Sequence, residues 1–134
     1  MEKNILIVDD DEDIVRMVAR KILCDAQGKY YPLIAKDGLE ALDMLTTHRI
    51  SLVILDLNMP NLDGAGVCRE MSRDGQIRLI PVIISSGYLN AETFNNLYAM
   101  GVRHFLDKPY SMNVLFDLID QMLNREQRNG NTLD

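Results

Sequence analysis

The chain has no tryptophan, only two cysteines and two histidines, and no apolar run near the roughly 20 residues that a membrane-spanning helix needs. Cys24 and Cys68 lie far apart without CxxC or Cys/His spacing, which excludes a disulfide framework and a zinc site and predicts two small buried apolar side chains. A basic stripe is also missing. With a net charge of −6 and a pI of about 4.8, the surface repels phosphate backbones, so no nucleic acid partner is expected for this domain. Met1-Glu2-Lys3-Asn4 leads straight into a strand and not into a signal peptide, so the expected location is cytoplasmic, with no membrane partner. What is present, 47% hydrophobic and 25% charged residues in 134, suits one globular domain with one core.

Asn4-Ile5-Leu6-Ile7-Val8 is a continuous apolar run that stops at Asp9-Asp10-Asp11-Glu12-Asp13, as a strand buried on both faces does when it emerges at a rim. From Asp13 to about Ala26, Ile14, Val18 and Ile22 recur at helical spacing beside Val15 and Ala19. Capping of this helix accounts for one or two of the five acids, not for all. After Gly28, Tyr30-Tyr31-Pro32-Leu33-Ile34-Ala35 reads as a second strand, and Pro32, which cannot donate to a ladder, places it at a sheet edge. Asp37-Gly38 turns into a helix carrying Leu42 and Leu45 inward, with His48 near its carboxyl end.

Leu52-Val53-Ile54-Leu55 predicts a short buried strand with Asp56 at its tip, facing solvent, and Pro60 and Gly64 close it, the glycine by supplying a positive φ. A helix from about Ala65 to Arg73, a strand over 80–87, a helix from Ala91 to Met100 ended by Gly101, a short strand at Arg103 to Leu106 and a helix containing Val114, Leu115, Leu118, Ile119, Met122 and Leu123 complete the pattern. Residues 1–124 form the expected domain; 125–134 are too polar to pack and predict a frayed or disordered tail. Five strands alternating with five helices imply a doubly wound α/β protein with a mainly parallel sheet.

Ligands of such sheets bind beyond the carboxyl ends of the strands. Those ends carry Asp9, Asp10, Asp56, Ser86 and Lys108. Three carboxylates at one rim call for protons or a hard cation, and oxygen ligands suit Mg²⁺ or Mn²⁺. A cation bridging Asp10 and Asp56 leaves positions for phosphoryl oxygens, while Lys108 adds a point charge and Ser86 a donor. No base stands ready to activate water, so the pattern favours Asp as nucleophile over general-base hydrolysis.

The segments Ile5 to Asp10, Leu55 to Gly64 (LDLNMPNLDG), Pro81 to Gly87 and Phe105 to Pro109, in that order, make the chain resemble the receiver domains of two-component response regulators, including the single-domain chemotaxis type. The resemblance spans about Ile5 to Leu123. It implies a flavodoxin-like (βα)5 fold with strand order 2-1-3-4-5 and a phosphorylation switch that takes a phosphoryl group from the phosphohistidine of a sensor histidine kinase or a histidine phosphotransfer protein onto Asp56. It also implies that Asp10, Asp56 and the Asn58 carbonyl hold Mg²⁺, with Asp9 helping through water. Lys108 and Ser86 would contact phosphoryl oxygens, Lys108-Pro109 would be cis, and Ser86 and Phe105 would be the switch positions that bias a surface of the fourth helix, fifth strand and fifth helix. The only catalysis implied is of the domain's own phosphorylation and dephosphorylation; a downstream effector is implied but unidentified, and a monomer or an activation-dependent weak dimer is expected.

Phe105 stands where the family often has tyrosine, and Ser86 where threonine is common, so packing and a bare hydroxyl must do the switching. Tyr88, beside the phosphoryl position, is bulky enough to shield an acyl phosphate from water. Two competing readings are weaker. A Mg²⁺-dependent phosphohydrolase of the haloacid dehalogenase type would place Asp-x-Asp after the first strand and add a cap. A flavodoxin-like nucleotide binder would need a phosphate loop where this chain has five acids. The chain reads either as a stand-alone receiver or as part of a longer regulator.

Overall fold

The computed structural model describes residues 2–75 and 78–132, of which 125–132 by backbone only. Ten elements alternate: β1 (Lys3–Val8), α1 (Glu12–Asp25), β2 (Tyr30–Ala35), α2 (Gly38–Thr47), β3 (Leu52–Asp56), α3 (Gly64–Arg73), β4 (Val82–Ser86), α4 (Ala91–Ala99), β5 (His104–Asp107) and α5 (Met112–Thr132). The strands form one parallel sheet in the order β2-β1-β3-β4-β5, which places Pro32 on an edge strand as expected.

Side-chain alternation divides the sheet into two cores. Leu6, Val8, Val53, Leu55 and Ile84 pack against Ala41 and Leu45 of α2, Val67 and Met71 of α3, and Leu97 of α4. Ile5, Ile7, Leu52, Ile54 and Ile83 pack against Val15, Val18 and Ile22 of α1 and Leu115, Ile119 and Leu123 of α5. Every residue of β3 and of β4 is buried, as strands covered on both faces must be.

The loops after the first three strands each end on an aspartate that caps the next helix. Asp11 accepts from the amides of Asp13 and Ile14, Asp37 from Glu40 and Asp63 from Gly66. The acidic run after β1 is thereby divided: Asp11 serves the helix, and Asp9 and Asp10 remain for the rim. Gly101, at φ 101°, ends α4 as predicted.

Four expectations are corrected. The stretch expected to fray is helical as far as Thr132; a helix already nucleated propagates through residues such as Arg, Glu and Gln without needing an apolar stripe. Residues 133–134 lie outside the described residues. Gly64 does not supply a positive φ. Asn61 does, at 68°, while Gly64 is needed because a Cβ there would collide with the Asp56 carbonyl oxygen and the Leu57 Cα. Cys24 is exposed on α1, off the buried face formed by Val15, Val18 and Ile22, whereas Cys68 is buried. Val114 is also exposed, because α5 turns Leu115, Ile119 and Leu123 to the core.

Candidate functional site

The side-chain parity that builds the two cores also assembles the rim. Asp9 follows Ile7 by two residues, Asp56 follows Ile54 and Lys108 follows Leu106, so all three continue the α1/α5 face beyond the carboxyl end of the sheet. One carboxylate oxygen from each of Asp9, Asp10 and Asp56 lies within 4.8 Å of the other two. Lys108 Nζ donates to Asp9 Oδ2 at 2.9 Å and lies 3.3 Å from Asp56 Oδ1. The other Asp9 oxygen accepts from the Asp11 amide at 2.9 Å, so the loop backbone orients this carboxylate. Lys108–Pro109 is cis.

Asp56 does not face solvent as expected. It is only 5% exposed, with Lys108 against its carboxylate, and the chain beyond it folds back so that the Gly64 amide donates to the Leu57 carbonyl at 3.0 Å. Burial, then the neighbouring Asp9 charge, raises the Asp56 carboxyl above its ordinary 3.8, against the pull of Lys108 and a backbone hydrogen bond from Asn58. Burial alone would lower the Lys108 ammonium, but contact with Asp9 and then Asp56 outweighs it and holds the group above its ordinary value. The site is a cluster with more negative charge than its one ammonium balances. It has oxygen donors at metal-ligand spacing, so these residues fit a hard divalent cation.

The remaining predicted residues stand at the edges of this cluster. Asn58 is exposed, two residues beyond Asp56. Ser86 continues Ile84, not Ile83, and so belongs to the α2/α3/α4 face. Its hydroxyl donates to the Tyr88 carbonyl at 2.7 Å and accepts from the Tyr88 amide at 3.1 Å, which turns it into its own loop. Phe105 lies on that same face, with its ring centroid 4.8 Å from that of Phe94 in α4. Beside them Arg103 sits 3.7 Å above the Tyr98 ring. Tyr88 is 78% exposed. Two polar groups escaped the sequence reading. Ser85 is the register partner of Asp56 on β4, and Tyr110 has a hydroxyl whose proton affinity is raised by burial and lowered by Ser85 and Lys108. Counting in steps of two from buried Ile83 would have pointed to Ser85.

A family model described as "Response regulator receiver domain" matches residues 5–120. Among curated relatives, the probable transcriptional regulator ycf27 of Cyanidium caldarium is 34% identical over 94% of this chain and 48% of its own length. The polar-differentiation response regulator DivK of Brucella anthropi is 29% identical over 92% of this chain and 98% of its own. The chain therefore spans about half the length of the first and nearly all of the second. Among solved structures, the chemotaxis protein CheY4 of Vibrio cholerae superposes with a TM-score of 0.81 at 27% identity, covering 91% of this chain and 99% of that one. No helix among the described residues is long and apolar enough to cross a membrane. With its flavodoxin-like order of strands and its acid cluster at the expected rim, this chain belongs to the response regulator receiver domain family, which implies phosphorylation-dependent switching.

Proposed function

We propose that the chain is a switch phosphorylated on Asp56. The observation that carries this reading is the meeting of Asp9, Asp10 and Asp56, at the carboxyl ends of two strands, with Lys108 just beyond a third. An Asp56 oxygen attacks the phosphorus of a phosphohistidine on a kinase or phosphotransfer protein. The P–N bond breaks, the imidazole leaves with its electron pair and takes a proton, and a P–O bond makes the acyl phosphate. Asp10, Asp56 and the Asn58 carbonyl would hold Mg²⁺ or Mn²⁺, with Asp9 helping through water. The ion, when bound, neutralises charge on the phosphoryl oxygens. Lys108, already between Asp9 and Asp56, turns to those oxygens and stabilises them as a point charge.

Readout occurs on the other face. Ser86 gives up Tyr88 for a phosphoryl oxygen, the β4–α4 loop is released, and Phe105 moves into the space vacated, which alters the surface of α4, β5 and α5. Release of this loop also frees Tyr88 to cover the acyl phosphate. Incubation with Mg²⁺ and acetyl phosphate followed by intact mass tests the reading: one phosphoryl group per parent chain and none on Asp56→Asn support it. Labelling of Asp56→Asn to the parental extent overturns it. Multiple turnover on small phosphomonoesters would favour the phosphohydrolase.

A further inference from the structure

Ser85 stands out at the site. It is 1% exposed, and its Oγ is the buried side-chain oxygen that has no hydrogen-bond partner among the described residues. Native proteins rarely leave such a group unpaired, because burial strips its water and returns nothing. Its position is specific. Ser85 pairs with Asp56 in the β3–β4 register and with Leu106 in the β4–β5 register, which puts its side chain on the α1/α5 face beside the Asp56 carboxylate and one step below Lys108. Tyr110, packed into the same core, brings its hydroxyl close enough for Ser85 to affect its acidity, though not into hydrogen-bond alignment.

We infer that the Ser85 hydroxyl is a positioning group for the phosphorylated state: unpaired at rest, it gains its acceptor when Asp56 carries a phosphoryl group, with the Tyr110 hydroxyl behind it. This rests on the assignment of Asp56 as phosphoryl acceptor. The carboxylate at rest already accepts from Lys108 and the Asn58 backbone, and phosphorylation adds new oxygens next to the unpaired Ser85 hydroxyl. Tyr110 then donates to the Ser85 oxygen while Ser85 donates onward, and such hydroxyl chains polarise one another. Ser86, directed into its own loop on the opposite face, reports the phosphoryl group to α4 and β5; Ser85 holds it from the α5 side. The two adjacent serines thus have separate duties, because a strand turns successive side chains to opposite faces.

The test compares Ser85→Thr with Ser85→Val, two side chains of nearly one shape that differ in the hydroxyl, and adds Ser85→Ala and Tyr110→Phe. Acyl phosphate formed from acetyl phosphate with Mg²⁺ is measured as labelled fraction and as decay rate, and the melting temperature of the unphosphorylated protein is read alongside. Absence of label on the parent protein defeats the acceptor assignment itself. Given a labelled parent, the expected result is a phosphorylation equilibrium about tenfold weaker in Ser85→Val and Ser85→Ala, near the parent in Ser85→Thr, and intermediate in Tyr110→Phe. Resting Ser85→Ala should melt no lower than the parent, since it removes an unpaired group. Equal labelling and decay in the Thr and Val variants, or a lower melting temperature in Ser85→Ala, overturns the inference.

Discussion

The two ends of the sheet handle buried polar groups in opposite ways. At the amino end, the Tyr30 hydroxyl donates to Asp120 at 2.7 Å, Asn124 donates to the same carboxylate oxygen at 2.7 Å, and Lys3 Nζ reaches the Leu123 carbonyl at 3.2 Å. These bonds tie β1 and β2 to the middle of α5. At the carboxyl end, three carboxylates crowd together while one ammonium pairs with two of them, Asp9 and Asp56; Asp56 is buried at a cost, and Ser85 has no partner among the described residues. One end satisfies its groups and contributes stability. The other keeps groups in reserve for charge that arrives later, which is how functional sites trade stability for chemistry.

The sharpest way to break this comparison is Asp56→Asn. It should abolish acyl phosphate yet raise the melting temperature at neutral pH by a few degrees, about 2–5 °C. The sign comes from the raised carboxyl: folding disfavours the ionised form, so stability falls as pH climbs from 3.8 through the folded value, and asparagine removes that fall. Below pH 3.8 the two proteins should melt alike. A lower melting temperature for the variant at pH 7 would mean that the carboxyl end is not strained. Thermal melts over pH 3 to 8 decide it.

Gly64→Ala should come next, costing about 3 kcal/mol by denaturant titration, because the added methyl collides with backbone of β3 that cannot move without shifting Asp56. Labelling should slow as well. At the satisfied end, Tyr30→Phe should cost about 1.5 kcal/mol while leaving labelling of Asp56 unchanged. That penalty should shrink above pH 10: burial and then Asp120 hold the folded phenol above its ordinary value, so the parent loses stability once the unfolded phenol ionises, and phenylalanine does not. Smallest is a difference in reactivity. A thiol reagent at pH 8 should modify Cys24 alone in the native protein, with Cys68, pushed up to about 12 by burial, reacting only on unfolding.

The elements and the edge position of β2 were legible because they rest on local facts: apolar period, caps and a proline without a donor. The acids at the strand tips were legible for the same reason, since a buried apolar strand ends at the rim and the polar residues next in the chain must emerge there. Three features were not. The burial of Asp56 comes with neighbours that distant segments bring to the strand tip, Lys108 among them. The helical continuation beyond Asn124 depends on backbone bonding that polarity does not reveal. The division of labour between Ser85 and Ser86 depends on register with β3 and β5.

From sequence alone came the order of strands and helices, the glycine and proline punctuation, and the acids and lysine on offer at the rim, all consequences of short-range periodicity and backbone sterics. Tertiary structure decided which of those groups meet, which face each occupies and which lose their water, because pairing register and burial are set by contacts between residues far apart in the chain. A one-residue shift in β4 would exchange Ser85 and Ser86 without altering a single local signal.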